Sequence, residues 1–157
     1  MRTLIKFCLL ILAAFSLPAF ANPSDAMKTL TQIAPQTQWD AKNAIEVDID
    51  CDQQKDYVFL HQADGKVTIG MVLGKDLNKA YLSKISMVND KKEACVDAAT
   101  IQPESLDYNP KFVTGKSVDG FKRSQCFAFR LSSEKCEPYH FYWNTTQDRP
   151  AWWRWSK

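Results

Sequence analysis

The sequence predicts an α+β domain, mainly an antiparallel β-sheet with a short N-terminal helix, cross-linked by two disulfides. Three observations predict it. From Ala44 onward apolar residues recur at every second position, in short runs rich in branched and aromatic side chains. One stretch near the start shows three-residue spacing instead. Four cysteines follow an export signal, an even set that an oxidising compartment joins in pairs.

Residues 1–21 have the three zones of a secretory signal: Arg2 and Lys6, the apolar run Phe7 to Leu17, and the small-residue cleavage site Ala19-Phe20-Ala21. The run is too short to span a bilayer, and Cys8 is not placed like a lipid-modified cysteine. The expectation is therefore a periplasmic or secreted protein whose mature chain, 22–157, forms one domain and does not insert in a membrane. The whole chain carries 20 basic and 18 acidic side chains. Losing Arg2 and Lys6 brings them into balance. A neutral chain without a basic cluster neutralises few phosphates, which argues against nucleic acid as a partner.

The elements follow in chain order. A helix start is expected at Ser24 or Asp25, with Met27, Leu30 and Ile33 as its apolar stripe and Pro35 as its stop. Ile45, Val47 and Ile49 then alternate with Glu46, Asp48 and Asp50, the pattern of a half-buried strand. DYVFLHQADGKVTIGMVLG reads as a hairpin around Asp64-Gly65, a pair that accepts the positive φ angles of a tight turn. KAYLSKISMV, GFKRSQCFAFRLS, EPYHFYWN and PAWWRW continue as strands. The stretch from Ala99 to Gly120, with its prolines, glycines and weak periodicity, reads as a long surface loop.

The mature cysteines are Cys51, Cys95, Cys126 and Cys136. Three pairings are possible. A hairpin over QCFAFRLSSEKCE favours Cys126–Cys136 and leaves Cys51–Cys95 by elimination.

The segment VDIDCDQQKDYVFL concentrates carboxylates. Counting Asp48 as one, aspartates fall at one, three, five and nine (Asp48, Asp50, Asp52, Asp56), and Gln54 at seven offers its backbone carbonyl. A hard cation such as Ca²⁺ takes six to eight oxygens, and a tight loop can aim alternate side chains inward to supply them. These 13 or so residues resemble the D-x-D-G-D-G-x-x-D loop of FG-GAP and VCBS repeats, whose last aspartate leads into an apolar strand, as Asp56 leads into Tyr57-Val58-Phe59-Leu60. The resemblance implies a structural calcium ion. Positions four and six, glycines in those repeats, are Cys51 and Gln53 here, so a disulfide from Cys51 is an alternative means of fixing the bend. The competing reading is an Asx-type turn in which the aspartates only accept backbone N–H groups. Acid–base chemistry asks for two carboxylates in different environments, and four on one loop repel each other without a cation.

Elsewhere catalytic chemistry has few candidates. The chain has only His61 and His140 as imidazoles and no nucleophile elbow, zinc-protease helix or phosphate-binding glycine loop, so no catalytic residues are assigned. His140 lies on the strand face opposite Tyr139, Phe141 and Trp143, as a solvent-facing or hydrogen-bonded residue. In HFYWNTTQDRPAWWRW, alternation sends Trp153 and Trp155 one way and Trp152 and Arg154 the other. The second pair is a candidate contact surface, or Arg–Trp stacking within the domain. Asn144-Thr145-Thr146 matches a glycosylation sequon.

These features lead to the expectation of an exported binding protein, not an enzyme, that occupies another protein such as a hydrolase or toxin, in the manner of an inhibitor or immunity protein. Two alternatives stand beside it: a hydrolase of cell-wall or extracellular polymer using Asp48, Asp50 or His140, and a calcium-stabilised domain that binds glycan through its tryptophans.

Overall fold

The computed structural model describes residues 22–86, 99–134 and 136–155. The expected signal segment, residues 1–21, and Cys95 lie outside them. Helix α1 (Pro23–Ile33) is capped by Asn22, ahead of the expected start, through an Asp25 N–H bond to its Oδ1 at 3.1 Å. Pro23 occupies the first turn, where a missing N–H costs nothing. Ala26 and Leu30 are buried and Met27 half-buried, while Ile33 stays exposed, so the buried stripe sits slightly round from the expected one.

Among the described residues, eight strands form two antiparallel four-stranded sheets. The first contains β1 (Ile45–Val47), β2 (Asp56–Ala63), β3 (Lys66–Leu73) and β4 (Asp76–Ile85) in sequence order. The second contains β5 (Thr100–Ser105), β6 (Phe127–Ser133), β7 (Cys136–Asn144) and β8 (Arg149–Trp153), also in order. The β2–β3 turn is the expected one: Asp64 and Gly65 have φ of 51° and 69°, and Ala63 pairs with Lys66.

The described residues stack in four layers. Helix α1 lies on the outer face of the first sheet over Tyr57, Phe59 and Val72. Gly70 makes this approach possible, because a Cβ there would stand 2.6 Å from Leu30 Cδ1. Val58, Val67, Ile69 and Met71 on the other face meet Phe129, Leu131 and Phe141 of the second sheet, with Phe129 and Phe141 stacked at 4.3 Å. Because β3 is covered on both faces, its sequence reads as a nearly unbroken apolar run. Residues Leu106 to Phe121 cover the outer face of the second sheet, where the Tyr142 hydroxyl donates to Asp119 O at 2.8 Å.

Three expectations need correction. The stretch from Ala99 to Gly120 is not all loop: it holds β5 and a single helical turn, α2 (Lys111–Thr114). Strand β5 is an edge, so Pro103 is tolerated there without an N–H to offer. The expected sulfur pairing is also wrong. Cys51 is bonded to Cys126, with Cα atoms 5.7 Å apart, which excludes both Cys126–Cys136 and Cys51–Cys95. In the β6–β7 hairpin Ser133 lies opposite Cys136, so Cys126, which precedes β6, is far from facing it. Finally, β8 ends at Trp153 and strand alternation does not extend to Trp155. Trp153 is buried, whereas Trp152 and Trp155 are both exposed.

Candidate functional site

The aspartate segment joins β1 to β2 and also touches the second sheet, since Asp48 N–H donates to Phe127 O at 3.0 Å. Beyond it Cys51 (φ 61°) and Gln53 (φ 70°) adopt the left-handed backbone that glycine normally supplies. These are the fourth and sixth loop positions. The Cys126 bridge holds the first, and a Gln53 N–H bond to Asp48 Oδ2 at 3.1 Å holds the second. Asp48 Oδ1 accepts Asp52 N–H at 2.9 Å, and Asp52 Oδ1 accepts Gln54 N–H at 2.8 Å. At the far end Asp56 accepts Ile49 N–H (2.8 Å) and Gly74 N–H (2.9 Å), one on each oxygen. A Cβ at Gly74 would stand 1.9 Å from Lys55 O, so glycine alone lets that N–H reach Asp56.

One ligand oxygen from each of Asp48, Asp50 and Asp56 lies within 4.8 Å of the others. Asp52 is outside that group. The Asp50 side chain is 3 % exposed and its Oδ1 has no hydrogen-bond partner, while its Oδ2 pairs with the Lys75 ammonium from the β3–β4 turn. Lys75 Nζ is also 3.4 Å from Asp52 Oδ2. Burial pushes Asp56 up to about 7, against the pull of the Gly74 and Ile49 N–H groups and with a further rise from Asp50 and Asp52. Burial likewise raises Asp48, opposed by the Gln53 and Asp52 N–H groups. The hydrogen bond to Asp50 raises Lys75. The donor set is entirely oxygen, which suits a hard cation. Asp50 Oδ1 and Asp52 Oδ2, both buried without a hydrogen-bond partner, point the same way. Both the cation reading and the Asx-turn reading draw on this loop, for its aspartates accept five backbone N–H groups.

The other candidates sit elsewhere. His140 is on the outer face of the second sheet, stacked on Trp153 at 4.2 Å, with its Nδ1 2.9 Å from Glu104. It makes no contact with an aspartate among the described residues. Trp152 lies on edge strand β8, 45 % exposed, with its ring edge-on to Tyr139 at 4.9 Å. Arg154 stacks on Tyr139 rather than a tryptophan, 5.2 Å from the ring centre, and donates to its hydroxyl at 3.1 Å. Asn144, in the sequon, is buried: its Nδ2 donates to Asp119 O and its Oδ1 accepts Thr146 N–H, leaving no amide for a glycan.

Sequence reasoning missed Lys75, whose place beside the loop depends on β3 pairing with β2. It also missed a groove of about 520 Å³ beside the loop, lined by Glu46, Asp48, Lys55, Pro103 and Phe127 among others. That groove forms between the sheets and has no local signature.

Fold and site together define a disulfide-bridged protein of two antiparallel β-sheets and a cladding helix, carrying a carboxylate-lined loop at the junction of the sheets. No protein-family model, curated protein or solved structure matches the chain. Among the described residues no helix is long and apolar enough to cross a membrane.

Proposed function

We propose that the chain is an exported binding domain that acts by contact with another protein, in the manner of an enzyme inhibitor or an immunity protein, and that calcium in the Asp48–Asp56 loop serves as its scaffold. The observation that carries the contact reading is the exposure of Trp152 on a sheet edge, beside an arginine already fixed on Tyr139. Tryptophan and arginine dominate binding hot spots because they bury large area and keep a polar handle, and a pre-set guanidinium loses little freedom on binding. The carboxylates suit scaffolding, since their oxygens hold backbone N–H groups and Lys75. The Cys51–Cys126 bridge fits an oxidising compartment, and so periplasmic or secreted residence.

The test is capture from the native compartment with the mature protein and its Trp152→Ala and Arg154→Ala variants side by side. A partner retained by the wild type and lost from either variant supports the reading. Equal capture by all three removes this edge as the contact surface.

A further inference from the structure

The turn from Asn109 to Lys116 carries the most exposed large apolar side chain among the described residues. Phe112 is 89 % and Val113 53 % exposed, although Pro110 in the same turn is buried. Its backbone N–H groups are satisfied from within. The N–H groups of Phe112, Val113, Thr114 and Gly115 donate to the carbonyls of Asn109, Pro110, Pro110 and Lys111 at 2.9–3.1 Å. Lys111 N–H is capped by Asn109 Oδ1 at 3.0 Å, and Lys116 N–H by Thr114 Oγ1 at 3.1 Å. The base is anchored, for Tyr108 packs on Phe121 at 5.3 Å and on Trp153 at 6.2 Å.

The charge on this turn has one sign. Between Tyr108 and Val118 the chain has Lys111 and Lys116 and no acidic residue. Neither lysine has an ion-pair partner among the described residues. Of the flanking carboxylates, Asp107 is paired with Arg123 at 2.7 Å, while Asp119, held by the neutral Asn144 amide at 3.2 Å, lies beyond the turn toward the second sheet.

An apolar end, a backbone with its donors used and unneutralised positive shoulders match a medium that is apolar within and anionic at its rim. We propose that Phe112 and Val113 dip into the surface of an anionic lipid bilayer, with Lys111 and Lys116 against the headgroups. Lipid penalises unsatisfied backbone donors, and the N–H groups from Lys111 to Lys116 are all used within the turn. Lysine stems lie along the interface and place their charge among phosphates. A protein pocket, by contrast, draws on directional hydrogen bonds at its rim, and this turn has few N–H groups left to give. The contact is peripheral and reversible, as one aromatic and two lysines allow.

The experiment is sedimentation of the intact mature protein with vesicles of equal parts phosphatidylcholine and phosphatidylglycerol, and with vesicles of phosphatidylcholine alone. The wild type is expected on the anionic vesicles, releasing as salt rises. Phe112→Ser should weaken partitioning about tenfold or more. Lys111→Gln and Lys116→Gln should each weaken it about fivefold. All three sites are on the surface, and an unchanged circular dichroism spectrum verifies the fold. Absence of wild-type binding to anionic vesicles overturns the proposal, including the case in which the turn engages a protein instead. Binding that Phe112→Ser leaves untouched overturns it equally.

Discussion

Lys75→Gln removes the ammonium that pairs with Asp50 and lies near Asp52. Deleting one partner of a fully buried ion pair costs about 3–5 kcal/mol, because the other charge is left in a poor solvent. Asp50 is 3 % exposed but Lys75 is 37 % exposed, so water already screens the cation. About 2 kcal/mol is the figure to expect in chelator. For a domain of this size that lowers Tm by roughly 6–10 °C. Calcium should close part of the gap. With a Kd on the order of 10⁻⁴ M, about 1 mM calcium stabilises the wild type by roughly 1.4 kcal/mol. The variant should gain more, since the ion no longer competes with a tethered ammonium for Asp50. Thermal melts followed by circular dichroism, in chelator and in calcium, give all four values. If Lys75→Gln melts with the wild type in chelator, Asp50 is not the desolvated charge described above. If calcium moves neither protein, the loop is held by hydrogen bonds and Lys75 alone, and the calcium proposal fails.

The helix and the bridges offer further tests. Gly70→Ala places a methyl 2.6 Å from Leu30 and 2.9 Å from Trp39, so denaturant titration should show a loss of about 1–3 kcal/mol. Adding Leu30→Ala to it should cost clearly less than the two single losses together, because the second change clears the space the first invades. Peptide mapping of the unreduced protein should recover Cys51 joined to Cys126. Cys95 and Cys136 are the two cysteines of residues 22–157 that remain, so a peptide joining them is the second product expected in an oxidising compartment. Cys51 and Cys126 are separated by 75 residues, and closing a loop of that length restricts the unfolded chain by about 4 kcal/mol. Cys51→Ser with Cys126→Ser should lose a stability of that order by denaturant titration.

Local chemistry was legible in the sequence where one segment decides it. Asp64-Gly65 specifies its hairpin turn by φ preference alone, and the alternation through β1 reports a pleat with one buried face. Strand β5 was hidden because TIQPES has an internal proline and mostly polar side chains, and its strand character comes from pairing with β6. The sulfur pairing was hidden for a related reason. Hairpin reasoning brings together cysteines near in sequence, whereas Cys51 meets Cys126 because β1 ends beside the start of β6. At the candidate site, the spacing points to Asp48, Asp50, Asp52 and Asp56 with the Gln54 carbonyl, of which Asp48, Asp50 and Asp56 converge, and Cys51 and Gln53 do take the positive φ that glycines supply in the loop it resembles. Lys75 was out of reach, since only the β2–β3 register sets Gly74 and its neighbour beside Asp56 and Asp50.

The junction between β1 and β2 belongs to both halves of the molecule. It begins with a main-chain bond to Phe127 and continues into the sulfur link with Cys126, so the same few residues rivet one sheet to the other. Peeling the sheets apart must therefore break the Asp48–Phe127 bond, while the sulfur link keeps the two strand ends together. A ligand that tightens this junction is therefore felt in both sheets.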